Sequence, residues 1–234
     1  MVGIIRENIA AVEEQIRTNA ICAGRNPEEV RLIAVTKTRS IDEINEAVAA
    51  GATDIGENKV QEILDKFGRI QGTVRWHMIG HLQTNKVKYI IDKVDLIHSV
   101  DSLHLAEEID RRAAQKNKTM DILIQVNSAE EESKFGIGTE ETEQLLMSIL
   151  ERCEQVRVHG LMCIAPYAEQ PEDVAVYFRE VKALYDRFAE ISHPRLQMQY
   201  LSMGMSHDFG VAIREGSNLV RVGTAIFGPR DYSK

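Results

Sequence analysis

The sequence predicts an α/β fold: a single (β/α)8 barrel, or TIM barrel, with an extra helix at its N-terminus. Its 234 residues are near the usual size of one such barrel. From position 31 onward, short β-branched runs alternate with longer stretches of helical periodicity, which is typical of a parallel sheet. Eight such runs favour a closed barrel over an open, doubly wound sheet. We therefore expect one domain that spans residues 1–234.

The first predicted element is a helix that precedes every strand. Ile5, Ile9, Val12 and Ile16 recur at three- and four-residue spacing and form one apolar stripe, and we expect the helix to end near Gly24. After the last predicted strand, too few residues remain for a final helix. The N-terminal helix is therefore expected to cover that side of the barrel.

Strands and helices then follow in alternation. Ser40, before an acidic first turn, and Gly51, after an alanine-rich last turn, are the start and stop signals of the next helix. The predicted strands cover residues 32–36, 54–57, 75–79, 96–100, 121–126, 157–162, 199–202 and 220–226. The predicted helices between them cover residues 41–50, 60–70, 85–92, 103–115, 141–151, 174–191 and 207–215.

Composition and charge restrict the classes of partner. Hydrophobic residues make up 44% of the chain, and the net charge of −8 opposes a nucleic-acid or anionic-membrane partner. Glu7, Glu13 and Glu14 give the N-terminus a layout unlike that of a signal peptide, and no apolar run approaches membrane-spanning length. Three widely spaced cysteines predict neither a disulfide framework nor a zinc site. We expect a cytoplasmic monomer.

Lys37 is the first candidate functional residue. The active site of a (β/α)8 barrel lies at the C-terminal ends of its strands, and this chain places polar residues at several of those ends. Lys37 follows the apolar run 32–35, so its side chain starts where a buried strand reaches the barrel mouth. A lysine amine becomes a nucleophile toward an aldehyde when desolvation or neighbouring cations lower its pKa. The alternative is a lysine that only marks the end of the strand.

Two glycine-containing turns predict a phosphate site. One follows the seventh strand and the other lies within the eighth, where such barrels commonly bind phosphate. Glycine lets backbone N–H groups approach an anion, hydroxyl groups add donors, and the helix that begins near His207 contributes its positive end. Each turn taken alone is also explained by backbone conformation. The residues concerned are Ser202, Met203, Gly204, Ser206, Gly223 and Thr224.

Other polar residues are candidates for contacts with a ring-bearing ligand. Arg221 lies in an apolar strand, where its charge is costly to bury, although strand alternation also permits an outward ion pair. Asn58 and His77 either donate hydrogen bonds to a ligand or serve as ordinary core or rim residues. His77 and His81 do not share a helix face and lack a third ligand, so we predict no metal site. Lys134 is a second candidate amine, but a solvated loop lysine explains it better.

Motifs along nearly the whole chain resemble those of the pyridoxal phosphate homeostasis proteins (the YggS/PROSC family). They are AVTK at 34–37, GEN at 56–58, VQE at 60–62, WHMIGHLQTNK at 76–86, KFGI at 134–137, HGLM at 159–162, LSMGMS at 201–206 and RVGTAIFG at 221–228. The resemblance implies a barrel like the N-terminal domain of alanine racemase, of the fold type III that binds pyridoxal 5'-phosphate (PLP). It also implies that Lys37 holds PLP as an aldimine, that Arg221 faces the pyridine nitrogen, and that Ser202, Gly223 and Thr224 hold the phosphate.

The leading hypothesis is a PLP-binding protein of intracellular PLP homeostasis, which buffers the cofactor or delivers it to PLP-dependent apoenzymes. Racemases of similar fold use a second domain for acid/base chemistry, and this chain ends soon after its eighth strand. A positive charge at Arg221 would also weaken the cofactor ring as an electron sink. The alternative is a PLP-dependent enzyme similar to amino-acid racemases. A third hypothesis, without PLP, is a class I aldolase-type lyase that forms a Schiff base through Lys37.

Overall fold

The computed structural model describes residues 3–129, 131 and 135–229. Eight parallel strands close into a barrel in sequence order, which confirms the predicted (β/α)8 fold. The strands are Arg31–Val35 (β1), Asp54–Glu57 (β2), Arg75–Met78 (β3), Leu96–Val100 (β4), Met120–Val126 (β5), Val156–Cys163 (β6), Leu196–Ser202 (β7) and Leu219–Val222 (β8).

The barrel closes between its first and last strands. Ile33 of β1 lies opposite Arg221 of β8, and Ala34 lies opposite Val222. On its other edge β1 pairs with β2, where Val35 lies opposite Gly56. Because all strands run in one direction, their C-terminal ends meet at a single face of the barrel.

Buried apolar side chains form an inner and an outer layer. The inner cluster draws Ile33, Leu96, Leu123, Met162 and Leu219 from five different strands, so these residues fill the barrel interior. A larger cluster packs the outer faces of the strands against the helices. Burial of one such side chain stabilises the fold by about 1.5–3 kcal/mol.

The predicted helices are present with boundaries shifted by a few residues. The helix predicted at 60–70 ends early because Phe67 leaves the helical conformation and Gly68 adopts a φ of +80°. The helices are Ile4–Cys22 (α1), Ile41–Ala49 (α2), Val60–Lys66 (α3), Val87–Ile90 (α4), Leu103–Gln115 (α5), Thr142–Arg152 (α6), Ala175–Ala189 (α7), Phe209–Arg214 (α8) and Thr224–Phe227 (α9). Short 3₁₀ turns cover Pro27–Glu29, Thr84–Lys86 and Pro171–Val174.

The prediction that the eighth strand continues to residue 226 is wrong. β8 ends at Val222, and the one-turn helix α9 follows, with the N–H groups of Ile226 and Phe227 bonded to the Gly223 carbonyl. The β-branched and aromatic residues of this segment match a strand pattern, but they are used to bury one side of a helical turn. The change of direction places Thr224 at the barrel mouth.

The N-terminal helix α1 covers the side of the barrel next to the last strand, β8, as the sequence predicts. Ile5, Ile9, Val12 and Ile16 of α1 are buried and belong to one cluster with residues of β8, α8 and α9. Among the described residues, no helix combines the length and hydropathy needed to cross a bilayer. Lys134 lies outside the described residues.

Candidate functional site

A cavity of about 240 Å³ opens at the C-terminal ends of the strands. Six of its lining residues belong to the predicted site: Lys37, Asn58, Ser206, Arg221, Gly223 and Thr224. The other six are Val35, Arg39, Ile79, Ile164, Met205 and His207. The cavity therefore brings together an amine, a buried guanidinium and hydroxyl groups that lie far apart in the sequence.

One side of the cavity concentrates hydrogen-bond donors. Ser206 Oγ accepts from the backbone N–H groups of Gly223 and Ala225, each at 3.3 Å. A Cβ atom on Gly223 would stand 3.3 Å from Val35 Cβ, so glycine lets the end of β8 approach β1 closely. With the hydroxyl of Thr224, this side matches the needs of an anionic group.

Arg39 and His207 are polar lining residues that the sequence prediction missed. Arg39 lies two residues after Lys37; its Nη2 donates to the Gly228 carbonyl at 2.5 Å and its guanidinium lies over the Phe227 ring. His207 directly follows Ser206 and bonds the Ala168 carbonyl at 3.1 Å. Their closeness in sequence to Lys37 and Ser206 is the feature from which both could have been predicted as lining residues.

Arg221 is buried beneath the mouth with its guanidinium in the cavity wall. Its Nη1 donates to Ser202 Oγ at 2.5 Å and its Nη2 donates to the Cys163 carbonyl at 2.8 Å. Burial lowers the pKa of Arg221, because the low-polarity surroundings disfavour the charged form. In the part of the chain that the structure describes, no carboxylate forms a salt bridge with it, so its hydrogen bonds go to neutral groups.

Ser202 and His77 do not line the cavity; they belong to a hydrogen-bonded chain that crosses the barrel and ends at Arg221. Asp54 Oδ1 lies 2.8 Å from His77 Nε2, and His77 Nδ1 lies 3.0 Å from His98 Nε2. His98 Nδ1 lies 3.1 Å from Ser202 Oγ, which accepts from Arg221. We name this series, Asp54–His77–His98–Ser202, the interior chain. Ser202 thus contacts Arg221 from below instead of facing the cavity.

The positions of the protons along the interior chain follow from the carboxylate of Asp54 at one end and the Ser202 hydroxyl at the other. Burial acts to raise the pKa of Asp54, but the hydrogen bonds from His77 and Thr53 and the nearby charge of Arg31 lower it below its usual value. The pKa of His98 lies well below its usual value, first because of burial and then because of His77 and Arg221 nearby. With one proton on each imidazole, His77 donates through Nε2 and accepts at Nδ1. His98 then donates through its own Nε2 and accepts from the Ser202 hydroxyl.

We expect both interior histidines to carry their proton on Nε2. Two-dimensional ¹⁵N NMR of the ligand-free protein would show Nδ1 of His77 and of His98 as unprotonated nitrogens. The exposed His104 supplies an internal reference that exchanges between tautomers. Ser202→Ala removes the donor to His98 Nδ1 but leaves the acceptor at His77 Nδ1, so the proton of His98 should stay on Nε2. A protonated Nδ1 on either residue in the unmodified protein would contradict the derived direction.

Met203 and Gly204 do not line the cavity, and Gly204 holds the backbone of Arg221. Met203 is fully buried, and the Gly204 carbonyl accepts from the Arg221 backbone N–H at 3.1 Å. Gly204 has a φ of +89°, and a Cβ there would stand 2.7 Å from Phe209 Cα. Glycine at 204 is therefore required by backbone conformation and close packing.

A buried ion cluster lies between the ends of β1 and β2 and helix α3. Lys66 Nζ donates to Glu57 Oε1 at 2.7 Å, to Glu62 Oε2 at 2.8 Å and to the Thr36 carbonyl at 2.9 Å. Glu57 is wholly buried, and within the described residues its Oε2 has no hydrogen-bond partner. Burial raises the pKa of Glu57 to about 7, against the opposing effect of Lys66. One ammonium group thus faces two carboxyl groups.

Glu57 is expected to make the protein less stable as the pH rises. Its pKa in the folded chain, about 7, is above the ordinary value of 4.5, so between these values the folded state binds more protons than the unfolded state. Its contribution is fully present below pH 4.5 and is lost as the pH rises through about 7. In urea unfolding, the free energy of unfolding of Glu57→Gln should therefore increase relative to that of the unmodified protein as the pH rises across that range. A stability difference that does not change with pH would contradict this expectation.

Among the described residues, no group of three or more metal-ligating side chains is positioned to hold a metal ion. His77 and His81 do not come together as ligands, because His77 is engaged by Asp54 and His98, whereas His81 stacks on Phe135. The polar groups that line the mouth are those of lysine, arginine, histidine, asparagine, serine and threonine side chains together with backbone groups.

Comparison with known proteins extends these observations. Residues 7–231 match the family of the alanine racemase N-terminal domain. A pyridoxal phosphate homeostasis protein from Aquifex aeolicus (strain VF5) is 44% identical over 97% of this chain and 98% of its own. Its counterpart from Escherichia coli (strain K12) is 38% identical over 98% of each chain. The structure of PipY from Synechococcus elongatus PCC7942 with PLP bound is 33% identical, covers 96% of this chain and 100% of that one, and superposes with a TM-score of 0.83.

Fold and site together define the class of protein: a (β/α)8 barrel of the alanine racemase N-terminal type, with a lysine and a buried arginine at its mouth. The similarity extends over almost the full length of both chains. This chain therefore belongs to the family of pyridoxal phosphate homeostasis proteins.

Proposed function

We propose that this chain binds PLP as a Schiff base on Lys37 and takes part in intracellular PLP homeostasis by buffering or delivering the cofactor. The observation that carries the proposal is the convergence of Lys37, Arg221 and the Ser206–Gly223–Thr224 donors on one cavity. The PLP-bound structure of the relative PipY supports the same cofactor. When bound, PLP would supply an aldehyde, and the Lys37 amine would condense with it to an imine with loss of water.

The residues of the cavity fit this cofactor in kind and in arrangement. Gly223 supplies a place where backbone can approach an anion, and the hydroxyls of Ser206 and Thr224 supply further donors to a phosphate. Asn58 and the apolar Ile79 provide a wall for a planar ring. Arg221 is assigned to the pyridine nitrogen in this proposal.

Arg221 supports retention of the cofactor over amino-acid turnover. Among the described residues no carboxylate is in salt-bridge contact with its guanidinium, although Asp208 interacts with it electrostatically, and its hydrogen bonds to Ser202 and the Cys163 carbonyl hold it in place. A fixed positive charge disfavours protonation of a neighbouring pyridine nitrogen, which weakens the ring as an acceptor of electrons. Such a site permits exchange of the cofactor between amines but disfavours carbanion chemistry.

The proposal includes the wider setting of the protein. We propose a cytoplasmic monomer with one domain, residues 1–234, whose recipients are PLP-dependent apoenzymes. The net charge of −8 supports a role apart from nucleic acids and anionic membranes.

The first experiment is an absorption spectrum of the purified protein with PLP, before and after borohydride, followed by peptide mass mapping. We expect a visible band that borohydride removes and a phosphopyridoxyl mass on the peptide containing Lys37. A protein that gains no band from PLP would overturn the proposal. It would favour the aldolase-type lyase, for which a sugar phosphate trapped on Lys37 is the corresponding test.

The racemase-like enzyme remains the second candidate because the fold family includes alanine racemase. The same PLP-loaded protein, incubated with a panel of L-amino acids and analysed by chiral chromatography, separates the two. We expect no turnover above the rate of free PLP. Turnover that Lys37→Ala abolishes would establish the enzyme instead.

A further inference from the structure

Lys37 lies between two threonines whose backbone groups are held by helix α3. Lys66 Nζ donates to the Thr36 carbonyl at 2.9 Å. On the other side, the Thr38 N–H donates to Glu62 Oε2 at 2.6 Å. Glu62 and Lys66 are also paired with each other, at 2.8 Å between Oε2 and Nζ. One ion pair therefore holds the peptide groups both before and after the lysine.

Thr38 needs this support because of its backbone conformation. Its φ is +62°, in the left-handed region that β-branched residues rarely adopt. The only other described non-glycine residue with positive φ is Asn117, a residue type that tolerates this conformation well. Thr38 is exposed, so burial of its side chain does not impose the strained turn. The hydrogen bond from its N–H to Glu62 opposes relaxation, together with the backbone hydrogen bond from Arg39 N–H to the Thr36 carbonyl at 3.1 Å that closes the turn.

Charge strengthens the contact. Burial acts to raise the pKa of Glu62, but hydrogen bonds from Lys66 and from the Thr38 N–H lower it below its usual value. Glu62 is thus an ionised acceptor, and charge-assisted hydrogen bonds are shorter and stronger than neutral ones. Lys66 is buried with three oxygen acceptors, so its own position is well determined.

We propose that Glu62 and Lys66, which do not line the cavity, are positioning residues that hold the Lys37 turn in its strained conformation and so aim the lysine at the cofactor aldehyde. The inference rests on the proposed function, since aldehyde capture by Lys37 is the property that they control. Binding of the cofactor ring and phosphate depends on other residues and is not affected by the pair.

The experiment compares two ligands on Glu62→Ala. PLP reports aldehyde capture through its absorption band, whereas pyridoxine 5'-phosphate carries the same ring and phosphate without an aldehyde. We expect the equilibrium constant for imine formation to fall about tenfold, the scale of one charge-assisted hydrogen bond, while the affinity for pyridoxine 5'-phosphate is unchanged. Asp65→Ala, which removes an exposed carboxylate from the same helix, is the matched control and should leave both values unchanged.

A second substitution distinguishes positioning from general damage. Glycine adopts positive φ without steric cost, so Thr38→Gly in the Glu62→Ala background should restore most of the lost imine formation. In the ligand-free protein, hydrogen exchange at the residue 38 amide should be slow in the unmodified chain and fast in Glu62→Ala. The inference would be overturned if Glu62→Ala weakened pyridoxine 5'-phosphate binding as much as imine formation with PLP, or if it left imine formation unchanged. It would also be overturned if Thr38→Gly failed to restore imine formation. Failure of the proposed function is distinct, because the unmodified protein would then form no imine with PLP.

Discussion

Lys37→Ala is expected to abolish borohydride-fixed cofactor completely while leaving the fold intact. Lys37 is half-buried at the mouth, so its truncation opens no large cavity in the core. The loss is total because an imine needs an amine, and no other group in the described cavity lining is a lysine. The measurement is peptide mass mapping after reduction, with the far-ultraviolet circular dichroism spectrum as a check on folding.

Lys59→Ala provides the matched control. Lys59 follows Asn58 near the same mouth but is exposed and does not line the cavity, so its removal should leave cofactor trapping unchanged. Residual phosphopyridoxyl mass in Lys37→Ala would identify a second amine, and a label on Lys134 would show that Lys134 reaches the cofactor. An undiminished yield of label in Lys37→Ala would refute Lys37 as the anchor.

Gly160→Ala is expected to destabilise the barrel by more than about 4 kcal/mol, at the upper end of single-substitution effects. Gly160 has a φ of +141°, and a Cβ there would stand 1.8 Å from the Tyr200 carbonyl oxygen. The obstacle is backbone of the neighbouring strand, so no change of side-chain rotamer relieves it. The pairing of β6 with β7 shifts register between Val158 and Gly160, so Gly160 lies at an irregularity of this strand pair and directly opposite Tyr200.

Gly51→Ala separates the cost of the clash from the cost of the conformation. Gly51 has a φ of +114°, but a Cβ there would meet nothing within 4 Å. Its substitution should cost only about 1–3 kcal/mol of backbone strain. Urea or thermal unfolding of the two variants measures the difference. Similar destabilisation by both would show that the close approach of β6 and β7 at Gly160 is not rigid.

The effect of Gly160 reaches the candidate site. β6 supplies the Cys163 carbonyl and β7 supplies the Ser202 hydroxyl, and both accept from the Arg221 guanidinium. A change in the β6–β7 pairing therefore moves the groups that hold Arg221. The close backbone contact between β6 and β7 at Gly160 therefore affects the candidate site as well as the stability of the fold.

The cavity brings together those predicted site residues that lie at recognisable ends of strands. Lys37 and Asn58 each follow a recognisable strand, and Ser206, Gly223 and Thr224 lie on glycine-containing turns. For such residues, strand direction alone determines the face of the barrel on which they lie. Arg39 was missed because its contacts with Gly228 and Phe227 join opposite ends of the chain.

The interior chain shows where sequence patterns stop being informative. Ser202 was predicted to contact phosphate because it begins a glycine-containing turn at the end of the seventh strand, whereas in the structure its hydroxyl bonds His98 and Arg221. His98 was not among the predicted site residues. Its place in the fully buried strand Leu96–Val100 nevertheless indicates a polar partner, because buried polar groups are hydrogen-bonded. Which partner it meets depends on the circular order of β2, β3, β4, β7 and β8.

By itself, the sequence determined the eight-stranded α/β architecture, the helix that precedes the barrel, and the lysine and glycine turns at its mouth. These follow from hydrophobic periodicity and from the shared direction of parallel strands, both of which are local properties. Tertiary structure alone decided the end of β8, the path of the interior chain and the support of the Lys37 turn by Glu62 and Lys66. Each of these depends on side chains from elements distant in sequence, whose meeting is set by barrel closure and helix packing.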